Sequence, residues 1–146
     1  MIDLSAVSII TTANVINNIE PTANIGSECA ANYITKVARM DKSATGLKVM
    51  LTANTWTQST IRVMYKLVPV GYAGSLDDLP FQFFNTTGIP DSGIITPQND
   101  LFTFTDYEYT IDDTEDFDGF QIKVSFIAYS QPYIPRIKDF RAIALA

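Results

Sequence analysis

The sequence predicts an all-β protein. The expected form is an antiparallel, jelly-roll-like β-sandwich at 28–146, with an irregular N-terminal arm at 1–27 and one long insertion loop at 70–100. Three observations lead there. Four segments alternate apolar and polar residues with a period of two, the repeat of a strand with one buried face. β-Branched and aromatic residues dominate those segments. The prolines avoid them: none falls in 22–68 or in 98–131, as expected where each residue must donate an amide to a ladder.

Taken in chain order, the arm is polar and weakly patterned, with Asn14, Asn17, Asn18 and Asn24, and has room for a short strand at 5–11. "ANYITKVARM" at 31–40 reads as the first full strand, and "DKSATG" as a turn out of it. "GLKVMLTAN" sets Leu47, Val49, Leu51 and Ala53 against Lys48, Thr52 and Asn54. "TIRVMYKLV" sets Ile61, Val63, Tyr65 and Leu67 against Arg62 and Lys66. The insertion follows, rich in Gly and Pro and without a sustained period; "SLDDLPFQFF" within it allows one helical turn before Pro80. "TDYEYTI" places Tyr107, Tyr109 and Ile111 on one face, and "FQIKVSFIA" places Phe120, Ile122, Val124, Phe126 and Ala128 on one face. The last segment, "IPRIKDFRAIALA", ends apolar where a terminus is usually polar. Two geometries compete for 136–146. A short helix would put Phe140, Ile143 and Ala144 on one face. A strand, favoured because the preceding sheet needs closing pairs, sets Phe140 on the opposite parity from Ile143 and Leu145, so a bulge near Arg141 or Ala142 is expected. Its basic residues Arg136, Lys138 and Arg141 are expected to balance the acidic stretch at 106–118.

Composition narrows the function classes. The chain has no histidine, which removes the commonest general base, metal ligand and activator of nucleophiles. It has one cysteine, Cys29, so no internal disulfide forms. A net charge of −6 argues against nucleic-acid binding. No apolar run reaches the roughly 18 residues of a membrane span, and the N-terminus lacks the basic and apolar segments of a signal peptide. Five acids crowd "DDTEDFDG": Asp112, Asp113, Glu115, Asp116 and Asp118. A calcium loop would need an acid at Thr114 and another at Ser125. The segment therefore reads as a solvated turn, and neither a metal nor an organic cofactor is expected. No nucleotide-binding or nucleophile motif is present.

The candidate contact residues are apolar side chains in the two unpatterned regions. Val7, Ile9, Ile10, Val15, Ile16 and Ile19 in the arm suit an extended segment laid on a partner. Phe81, Phe83 and Phe84 in the insertion either plug an open edge of their own domain or anchor a neighbouring subunit. Trp56 and Tyr72, both in loops, either cover the ends of the core or stack on sugar rings.

The ordered set "ANYITKVARM", "GLKVMLTAN", "IRVMYKLVPVG", "FDGFQIKVSF" and "PRIKDFRAIAL" resembles the tail- and baseplate-associated virion structural proteins of tailed bacteriophages, cyanophages in particular, in their C-terminal β-sandwich module. The resemblance spans about 29–146, and the chain departs from that group in being short. It implies a non-enzymatic structural or assembly component of a virion, made in the host cytoplasm. Other virion proteins and further copies of the chain would be its partners. The alternative is a carbohydrate- or receptor-binding β-sandwich module of a phage adhesion device. A carboxylate enzyme such as a glycosidase would require two acids facing each other in a cleft.

Overall fold

The computed structural model describes residues 31–128 and 134–146, together with the backbone of a strand at 8–10. Nine strands are described: β1 (Ser8–Ile10), β2 (Ala31–Ile34), β3 (Ala38–Ala44), β4 (Gly46–Asn54), β5 (Ser59–Pro69), β6 (Gln82–Phe83), β7 (Thr105–Ile111), β8 (Phe117–Ala128) and β9 (Arg136–Leu145). They form two antiparallel sheets. One runs β1-β9-β4-β7; the other runs β2-β8-β5-β6, with β3 also pairing β8. The chain is an antiparallel β-sandwich.

The alternating segments bury the faces that their period assigns. Leu47, Val49 and Leu51 of β4 and Tyr107 and Tyr109 of β7 form one inner wall. Ile61 and Val63 of β5 and Ile122, Val124 and Phe126 of β8 form the other. The spine of the second sheet is the β5–β8 ladder, paired from Ser59↔Ala128 to Pro69↔Phe117. Tyr109 is fully buried, and burial pushes its phenol far above the usual tyrosine range.

Four local expectations are corrected. "ANYITKVARM" is two strands, because at Thr35 the side-chain hydroxyl accepts the Ile122 amide at 3.0 Å and the chain then leaves the ladder. "DKSATG" is no hairpin turn: β3 continues to Ala44, opposite Phe117, and by Gly46 the chain lies opposite Leu145 in the other sheet. It crosses between sheets at Thr45, whose carbonyl takes both the amide and the hydroxyl of Thr114 at 2.9 Å. The approach at Gly46 is close: a Cβ there would lie 3.1 Å from Asp112 Oδ1 and 3.2 Å from the Ile111 carbonyl. In β9 the bulge falls at Asp139, between the pairs Thr52↔Lys138 and Leu51↔Phe140, and Asp139 takes a φ of 54°. That extra residue carries Ile137 and Phe140 inward together and leaves Ile143 and Leu145 exposed. Finally, Glu108 pairs with Lys48 and Asp118 with Arg39, each at 3.3 Å. The β9 cations face the β7 acids across β4 instead of pairing with them directly.

The insertion closes one side of the sandwich. A 3-10 turn at Leu76–Asp78 precedes Pro80, and the Leu76 carbonyl accepts from Lys66 Nζ at 3.0 Å. Phe81 is buried beneath Lys66 and Lys123, whose ammonium groups lie 4.5 and 5.1 Å from its ring centre. Phe84 is fully buried between Tyr65 and Tyr109. Asp91 then reaches the far edge: its amide donates to Glu108, and its carboxylate accepts the amide and hydroxyl of Thr110. The loop thus links the β6 edge of one sheet to the β7 edge of the other and blunts an otherwise open strand.

Candidate binding face of the four-stranded sheet

With the inner faces packed together, the outer face of the β9-β4-β7 sheet is left with its polar side chains in water. The registers set them in rows. Lys138, Thr52 and Asp106 form one row; Arg141, Met50 and Glu108 form the next; Ile143, Lys48 and Thr110 form the third. Strands lie about 4.8 Å apart, so the basic column on β9 faces the acidic column on β7 across about 10 Å. Met50 and Thr52 make the floor between them. The result is a shallow open groove of about 380 Å³, lined by Met50, Thr52, Asp106, Glu108, Asp139 and Arg141.

The groups in this groove are held in place. Asp106 accepts a 2.6 Å hydrogen bond from the Thr52 hydroxyl. Glu108 is half exposed and paired with Lys48. The bulge at Asp139 adds a third carboxylate beside Arg141. At one end, Phe104 precedes β7 with the parity of Asp106 and Glu108. The Lys138 ammonium lies 4.5 Å from its ring centre and the Arg136 guanidinium 5.8 Å, both within cation–π range.

Beyond Phe104 the loop 98–104 rises at the rim. Asn54, buried at the end of β4, donates to the carbonyls of Asp100 and Thr103 at 2.9 and 2.7 Å. Arg136 donates to the Leu101 carbonyl at 2.9 Å. The Asp100 carboxylate accepts from the amides of Phe102 and Thr103 and from the Thr103 hydroxyl, and these bonds hold its carboxyl below the usual range. At the tip of this pinned loop Phe102 is 88% exposed.

The residues singled out from sequence lie elsewhere. Val7, Val15, Ile16 and Ile19, like Cys29, fall outside the described residues. Ile9 and Ile10 belong to β1, whose backbone pairs with Ile137 and Arg136, so this part of the arm adds to the chain's own sheet. Phe81 and Phe84 are buried within their own domain and Phe83 is half-buried. For this cluster the plug replaces the intersubunit anchor. Trp56 and Tyr72 are half-buried, and the Tyr72 hydroxyl donates to the Ser75 carbonyl. The acids of 112–116 line a separate groove of about 410 Å³ with Tyr65 and Pro80, and no group of potential metal ligands occurs among the described residues. Sequence reading missed Phe102 and Phe104, which sit in a stretch without period. The available signal was Asp100 three residues before Thr103, the spacing of an Asx-type turn.

No family model and no curated protein matches the sequence. Two solved structures are similar to the chain. One is the sugar-binding C-terminal domain of EclA, 8% identical, with a TM-score of 0.48 over 98% of this chain and 81% of that one. The other is the CBM22-1 xylan-binding domain of Xyn10C from Paenibacillus barcinonensis, 6% identical, with a TM-score of 0.40 over 85% of this chain and 78% of that one. At these scores neither bears on what this chain binds.

Proposed function

We propose that the chain is a non-catalytic carbohydrate-binding β-sandwich module and that the outer face of β9-β4-β7 is its binding surface. One observation carries this reading. Two carboxylates on β7 and the cations of β9 are fixed by strand register on opposite sides of an open groove, with an aromatic ring at its end. A sugar hydroxyl is at once a donor and an acceptor, and charged partners make the stronger hydrogen bonds to it. Acceptors held on one side of the groove and donors on the other therefore suit a polyhydroxylated ligand. A glycosidase needs one carboxylic acid kept protonated in a water-poor site. Asp106 and Glu108 lie on an open face, engaged by Thr52 and Lys48, which supports binding over catalysis.

A glycan array probed with the full chain tests this. Binding to a defined set of glycans is expected, lost in Arg141→Ala and in Asp106→Asn at unchanged melting temperature. An array without a reproducible hit overturns the reading. Carriage on a tailed-phage particle, among other virion proteins, is proposed from the resemblance of the ordered segments alone. A mass-spectrometric inventory of purified particles is its test, and absence of the chain would end it.

A further inference from the structure

The groove is open, and beyond it stands an aromatic ring that the fold does not use. An apolar side chain 88% in water contributes nothing to the core, yet the loop beneath it is held by five separate groups. These are the Asn54 amide, the Arg136 guanidinium, the Asp100 carboxylate, the Thr55 carbonyl, which takes the Gln98 amide at 2.7 Å, and the Thr105 hydroxyl, which takes the Gln98 side chain at 3.2 Å. A loop ordered before binding loses little entropy when its tip is covered. Arg136 joins the two aromatic positions, bonded to the carbonyl of Leu101 and placed over the ring of Phe104. Arg136 therefore ties the loop to Phe104, which stands two residues before Asp106 on the same side of the strand.

We propose that the ligand is a linear oligosaccharide of several units laid along β7, and that Phe102 stacks on one of its rings beyond the groove. The inference rests on the carbohydrate reading of the face and names the ligand's form. From Thr110 to Phe104 the strand covers about 20 Å at 3.3 Å per residue, longer than one sugar ring, and the loop lengthens it further. A groove open along its length admits the interior of a chain, whereas recognition of a terminal sugar calls for an enclosed pocket. The C–H face of a pyranose is apolar and meets the electron-rich face of an aromatic ring favourably. Phe102 supplies that contact without a polar group to desolvate.

Calorimetry with two-unit and six-unit oligosaccharides of glucose, xylose and mannose tests the proposal on the full chain and its Phe102→Ala and Phe102→Tyr variants. Both variants are expected to fold, because the Phe102 side chain lies mostly in solvent. The six-unit ligand is expected to bind at least about tenfold more tightly than the two-unit one, as one aromatic anchor can supply. Phe102→Ala should remove that gain, Phe102→Tyr should keep it, and binding of the two-unit ligand should not change. If Phe102→Ala leaves six-unit binding intact while Arg141→Ala abolishes it, the face binds sugar but Phe102 plays no part, and the inference falls alone. If the parent chain binds none of these ligands, the inference falls; a silent array as well would take the carbohydrate reading with it.

Discussion

The carboxylate of Asp100 accepts both the amide and the hydroxyl of Thr103, at 2.6 and 2.8 Å. That pair, together with the Phe102 amide, turns an exposed stretch into a fixed support. Because the bonds favour the ionised carboxylate, its folded pKa lies below the ordinary value. Their contribution is complete above about pH 4 and is lost as the pH falls through the lower, folded value. Amide exchange at Phe102 and Thr103 is expected to be slow at neutral pH and to accelerate, relative to the intrinsic rate, only in acid. Asp100→Ala should show fast exchange at every pH, and unchanged protection in that variant would mean that Asn54 and Arg136 hold the loop without it.

The β9 bulge makes a second prediction. Asp139 has a φ of 54°, a region that costs most L-residues about 1–2 kcal/mol and that glycine occupies freely. Asp139→Val should destabilise the fold by about that amount in urea denaturation, and Asp139→Gly should be neutral or slightly stabilising. Equal effects of the two would show that the side chain matters more than the backbone conformation.

Tyr109 is buried, and its hydroxyl has no hydrogen-bond partner among the described residues. A polar group taken out of water without a partner costs about 1–3 kcal/mol. Tyr109→Phe is therefore expected to raise the denaturation midpoint, by up to about 1 kcal/mol once the loss of shape fit is included. A clear destabilisation would reveal a bound water or a partner for the hydroxyl.

Phe126 and Phe84 are both fully buried, one in β8 and one in the insertion. Each truncation to alanine should cost about 3–5 kcal/mol. The informative one is Phe84→Ala, because a loop serving only as a contact for a neighbour would tolerate it. A midpoint within experimental error of the parent would return the aromatic cluster to an intermolecular role.

The acidic turn at 112–118 is expected not to take up calcium in a stoichiometric, micromolar manner. Asp118 is paired with Arg39, so one of the five acids is already engaged, and the segment departs from the calcium-loop pattern at Thr114 and Ser125. Calorimetry with calcium should be featureless. A one-site isotherm removed by Asp116→Ala would contradict this.

Period-two alternation determined which faces of β4, β5, β7 and β8 turn inward between the sheets, as at Val49 or Ile122, but it did not show that the other face of β5 and β8 is covered as well, where Lys66, Lys123 and Ser125 are buried. It also required a bulge in the last strand, because Phe140 and Ile143 stand on opposite parities. It did not locate that bulge. The position depends on which residue of β4 stands opposite, and Leu51 and Thr52 are far away in sequence. The same limit explains the candidate binding face. Lys138, Thr52 and Asp106 are three unremarkable polar residues along the chain, and only the pairing of β9, β4 and β7 sets them in one row. The insertion had no period to read because its contacts go to the edges of two different sheets. Where those edges lie decided that Phe81 and Phe84 face inward, while Phe102, just past the insertion, is held in water by a loop fastened from below.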